Sequence, residues 1–147
     1  MLLGQQRTPY REIFFSVWQK VLSAKSGEPP ILDPMEEIIA TLISQHPEYH
    51  AIFAAPEQHA NTEFPTNNLY ENPFLHISMH LSLVEQLHCD RPKGIQACYQ
   101  NLLLKTCDEH QLQHQVMDII AAHIWDSINN NREVNDQSLL ESIKKLN

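Results

Sequence analysis

Nine histidines fall in this chain of 147 residues. Six of them stand in pairs four residues apart: His46/His50, His76/His80 and His110/His114. Random placement predicts about half a pair at that spacing, so three pairs are a signal worth following. On an α-helix, residues i and i+4 share one face, with Cβ atoms about 6 Å apart. Two imidazoles so placed can converge on one metal ion, and a neighbouring helix can supply the remaining ligands.

The setting of each pair sharpens that chemistry. A helix over 73–88 carries an apolar stripe through Phe74, Ile77, Leu81 and Val84, and a second through Leu83 and Leu87 with which His76 and His80 align. His110 and His114 share a face with Met117, Ala121 and Trp125, flanked by Asp118. Both pairs are expected to point inward, and a buried imidazole needs a hydrogen-bond partner or a metal. His76, His80, His110 and His114 are therefore the expected core ligands. Asp118 or Glu85 would contribute oxygen, with Glu48 a further nearby carboxylate, and His46/His50 would close the site. A mixed imidazole and carboxylate set suits Zn, Fe, Mn or Ni, and an open coordination position would permit hydrolytic or oxidative chemistry.

A second reading stays open beside the first. His46 stands where it can simply cap a helix beginning at Pro47, and the other pairs can be core histidines bonded to carbonyls and carboxylates. The chain is then a non-catalytic structural or interaction protein, engaging an unknown protein partner through a groove or loop. His59, His88 and His123 lack partners at helical spacing and read as surface or helix-end residues.

No other constellation competes. The chain has no Gly-rich phosphate loop, no G-x-S-x-G, no H-E-x-x-H and no C-x-x-C-H heme attachment sequence. Its formal charge is −8, with no basic stripe beyond Lys144-Lys145, which argues against nucleic acid and anionic membrane as partners. No apolar run reaches transmembrane length and the N-terminus turns polar at once. Cys89, Cys98 and Cys107 are odd in number and lack C-x-x-C spacing, as expected of reduced thiols in a cytoplasm.

The elements that would position these residues read as helices in a single domain over 1–147. Hydrophobic content of 42% and charged content of 19% are in the globular range. Thr8-Pro9 opens a helix to about Lys25 with Phe14, Phe15, Val17, Trp18, Val21 and Leu22 at helical spacing. Asp33-Pro34 opens a second, which Pro47 ends near Gln45. Pro56 to Asn72 reads as a long irregular loop. Asn72-Pro73, Asp90-Arg91-Pro92, Asp108 and Asp136 mark four more starts. Strand signals are absent, and the expectation is an all-α, compact helical bundle of five to seven helices.

At this point the motifs form a pattern. His46-Pro47-Glu48-Tyr49-His50, Asn72-Pro73-Phe74-Leu75-His76 with His80-Leu81 and Glu85-Gln86, and Asp90-Arg91-Pro92 with Gly94-Ile95 resemble a bacterial family, domain of unknown function 1841. His110, His114, Met117 and Trp125 continue the resemblance, and Arg7, Arg11, Phe14, Phe15, Trp18 and Lys20 precede it. It implies a cytoplasmic protein without an assigned activity, and it brings no catalytic residues. Ala122 and Asn129 depart from the family pattern, which has an acidic residue and an arginine there; the three histidine pairs are intact.

Overall fold

The computed structural model describes residues 7–146, with side chains described from Arg11 onward. Among the described residues there are eight α-helices and one 3-10 turn, and no strand. They are α1 (Arg7–Leu22), α2 (Pro34–Ser44), the 3-10 turn (Pro47–Tyr49), α3 (His50–Phe53), α4 (Pro56–His59), α5 (Pro73–Cys89), α6 (Ile95–Leu103), α7 (Glu109–Asn129) and α8 (Asp136–Lys144). The count exceeds the expected five to seven because two four-residue helices, α3 and α4, follow the proline-rich break after α2. The expected loop over 56–72 is correspondingly shorter: Pro56 presets the first turn of α4, and irregular chain begins at Ala60. None of the helices is long and apolar enough to cross a membrane.

The backbone forms two compact units, one ending at Leu81 and the other starting at Ser82, so the boundary falls inside α5. In the first unit, α1 packs on α2 and α3. Phe14, Phe15, Val17 and Trp18 project from α1 at helical spacing and are buried with Ile39, Leu42, Ile43, Tyr49, Phe53, Phe74 and Ile77. Phe53 is the hub, meeting Phe14, Phe15 and Phe74 edge-on at 6.3, 6.3 and 5.4 Å. Each such ring contributes about 2 kcal/mol through burial, with a further increment from edge-to-face geometry.

Local sequence sets the helix ends. Asp33 forms a capping box with Glu36 ahead of Pro34. Asn72 caps α5 by accepting from the Leu75 amide at 3.1 Å, while its own amide donates to the Pro65 carbonyl at 2.8 Å. α5 stops where Asp90 takes a left-handed conformation and the Arg91 amide reaches back to the Gln86 carbonyl.

In the second unit α8 packs on α6 and α7, burying Ile95, Cys98, Tyr99, Leu102, Leu112, Val116, Met117, Ile120, Leu139 and Ile143. Asp108 caps α7 as expected. Two expected starts are displaced. The cap of α8 is Asn135, not Asp136, and its side chain accepts from the Ser138 amide at 2.9 Å. α6 begins only after Gly94, whose missing side chain cannot cap; Asp90 serves instead, accepting from the Gly94 and Gln96 amides at 3.0 Å each.

Candidate metal centre

α5 is uninterrupted between His76 and His80, so the two rings emerge from one face one turn apart. Both are buried, at 1% and 0% exposure. Their ring centres lie 6.0 Å apart. The third member is His46, also 0% exposed. Its ring lies edge-on to both, 4.6 Å from His76 and 5.2 Å from His80. One nitrogen from each of these three rings lies within 4.8 Å of the others. Ligand bonds near 2.0–2.1 Å require nitrogens about 3.3 Å apart, so a tightening of about 1.5 Å at most would complete a metal site.

Pro47 explains how His46 arrives there. A proline cannot continue α2, and it pushes His46 out of helical geometry to φ −124°, ψ 69°. The His46 amide turns to the Ile43 carbonyl, which leaves the Leu42 carbonyl without its regular i+4 partner. The His46 ring fills that role, with Nδ1 2.6 Å from the Leu42 oxygen. A carbonyl can only accept, so Nδ1 carries the proton and Nε2 carries the lone pair, the tautomer suited to ligation. His46 does occupy the cap position of the 3-10 turn, but its side chain makes no capping bond there.

His76 is oriented by a second device. The Tyr49 hydroxyl donates to the Tyr70 carbonyl at 3.0 Å and lies 3.3 Å from His76 Nδ1. With its only proton directed at a carbonyl, that hydroxyl oxygen accepts from His76 Nδ1–H. Burial, reinforced by the Glu48 charge, pushes the Tyr49 hydroxyl up to about 12, so it keeps its proton.

His50 departs from its expected place. Its Nε2 donates to the Ile43 carbonyl at 2.8 Å, and its ring packs on Trp18 at 4.6 Å. His50 thus finishes the C-terminus of α2 and does not join the histidine group. On α7, in the second unit, His110 and His114 are half-buried with ring centres 4.2 Å apart. Of the expected oxygen donors, Glu48 shares the first unit with these histidines and is not grouped with them. Glu85, Asp118 and Glu48 are all exposed, where water solvates a carboxylate at no desolvation cost. Within the first unit the group is imidazole alone, not imidazole and carboxylate. His59 ends α4, His88 is exposed, and His123 meets the Ser142 hydroxyl at 3.1 Å.

Two residues the histidine pattern did not bring forward support this arrangement. Tyr49 is one. The other is Arg11, which is 3% exposed. Its Nη1 donates to the carbonyls of His59, Ala60 and Thr62 at 3.1, 3.2 and 2.7 Å. Its guanidinium lies over Phe74 and Phe64 at 4.4 and 5.4 Å. The signal was available: Arg11 precedes Phe14, Phe15 and Trp18 by three, four and seven residues, a charge placed on the core face of α1.

A family model described as a domain of unknown function, DUF1841, matches residues 6–145. The chain belongs to this family. The match spans all eight helices of this DUF1841 protein almost end to end, and with them both units and every histidine discussed above. No curated protein and no solved structure matches the chain.

Proposed function

We propose that this DUF1841 protein binds a divalent transition metal through His46, His76 and His80. The observation that carries this reading is the grouping of one nitrogen from each of the three within 4.8 Å. Burial adds weight, since three imidazoles at 0–1% exposure are shielded from water that would compete for a metal. An all-nitrogen set suits Zn, Ni, Cu or Fe and disfavours Mn relative to the mixed set expected from the sequence. The three cysteines are unbridged, which fits a reducing, cytoplasmic setting for the protein.

The competing reading is a non-catalytic structural or interaction protein whose core histidines are hydrogen-bonded. The bonds from His46 to Leu42 and from His76 to Tyr49 favour it, because they already serve one nitrogen of each ring. Elemental analysis of untagged protein, with thermal melts after chelation and after adding Zn, Ni, Co or Cu, separates the two. The metal reading expects close to one ion per chain and a melt raised by the ion. Less than about a tenth of an ion per chain, with no shift from any added metal, overturns it in favour of the structural reading.

A further inference from the structure

Resting on the metal reading above, we infer that Tyr49 is a positioning residue: through its bond to the Tyr70 carbonyl it fixes the tautomer of His76 that presents Nε2 to the metal. The chain of donors has only one consistent direction. Tyr70 contributes a carbonyl, which accepts; Tyr49 therefore donates to it at 3.0 Å and must accept from His76 Nδ1–H at 3.3 Å. The ring planes hold this geometry, with Tyr49 and His76 at 5.5 Å between centres and Tyr49 stacked on His46 at 5.8 Å, 13° from parallel. One phenol thus touches two of the three buried imidazoles while orienting one of them.

The anchor of this relay lies outside the helices. Tyr70 belongs to the irregular stretch between α4 and α5, which the polar side chains of Arg11 and Asn72 hold at the carbonyls of His59, Ala60, Thr62 and Pro65. Asn68 adds a local turn by accepting from the Tyr70 and Glu71 amides. The position of that stretch and the proton position on His76 are therefore one coupled arrangement. Partners of this kind, bonded to the far nitrogen of a ligating histidine, typically change metal affinity 10- to 100-fold.

The decisive experiment reads the proton directly. Long-range ¹⁵N–¹H spectra of the metal-free full chain report which imidazole nitrogen is protonated, whether or not a metal binds. The expected result is Nδ1–H for His76, and a mixture of tautomers in Tyr49→Phe. A protonated Nε2 in the unsubstituted protein overturns the inference, and that result is available even if the variant fails to fold. Cobalt titration followed by chelator competition supplies the second readout. Tyr49→Phe is expected to bind cobalt about 10- to 100-fold more weakly with an altered visible spectrum. Equal affinity and an unchanged spectrum in the variant overturn the role of Tyr49 and leave the metal reading standing. No binding by the unsubstituted chain overturns the metal reading and, with it, Tyr49 as a positioner of a ligand.

Discussion

His76 and His80 sit on an uninterrupted helix, whereas His46 and His50 straddle Pro47, and the two pairs of the first unit end in different chemistry. On α5 both rings leave the same face and reach the same buried volume. Across Pro47 the rings diverge: His46 turns toward the α5 pair and His50 turns toward Trp18. Both rings still donate to carbonyls at the end of α2: His46 to that of Leu42, which lacks its regular partner, and His50 to that of Ile43, which also accepts from the His46 amide. An i,i+4 spacing predicts a shared target only while the backbone between the residues is helical. One proline divides the pair into one member of the histidine group and one helix-end donor.

The most direct way to break this contrast is to remove one ring from each pair. His80→Ala should weaken metal binding by more than about 100-fold, because a buried imidazole ligand has no substitute. His50→Ala should leave the affinity within about threefold, its ring being bound to Ile43 and Trp18. Chelator competition with zinc or cobalt measures both, and comparable losses in the two variants would erase the distinction.

The frame around the convergent pair is tested by Arg11→Met. Three carbonyls lose a buried donor, at about 1–3 kcal/mol for each group left unsatisfied. A total near 3–4 kcal/mol in urea unfolding is expected, since water reaches part of the freed backbone. A loss below about 1 kcal/mol would mean that the stretch after α4 holds itself in place.

Alkaline titration sharpens the comparison with the second unit. Tyr49 and Tyr99 are both buried, and burial is the leading cause of each being pushed up to about 12. A folded pKa above the unfolded value near 10 gives stability that is full below pH 10 and lost as pH rises through 12. Each tyrosine should contribute up to about 3 kcal/mol to that loss, two pKa units at 1.36 kcal/mol each. Tyr49→Phe and Tyr99→Phe should each flatten the decline between pH 10 and 12, as measured by denaturant unfolding. The smallest effect is expected from His50→Ala, at about 1–2 kcal/mol of stability from one hydrogen bond and the Trp18 contact.

Much of the fold was legible because it is written in local rules. Asp33-Pro34, Asn72-Pro73 and Asp108 start helices where a side-chain oxygen can meet an early amide, and Pro47 ends one where its missing N–H breaks the ladder. The same rules failed at Asp90, where the acceptor serves a helix start several residues away across Gly94. They failed also at α4, whose single turn is too short to leave a periodic pattern.

For the candidate site, the sequence alone determined the pairing of His76 with His80, because a 3.6-residue period places them on one face whatever surrounds them. It determined too that His46 would leave helical geometry, because proline restricts the residue before it. Only the tertiary structure decided that His46 turns toward His76 and His80 while His50 turns away, that exposed Glu48 stays out of the imidazole group, and that Tyr49 and Arg11 support it. Those outcomes depend on which distant carbonyls and rings meet each side chain, and on the cost of burying a carboxylate, and neither is encoded in spacing along the chain.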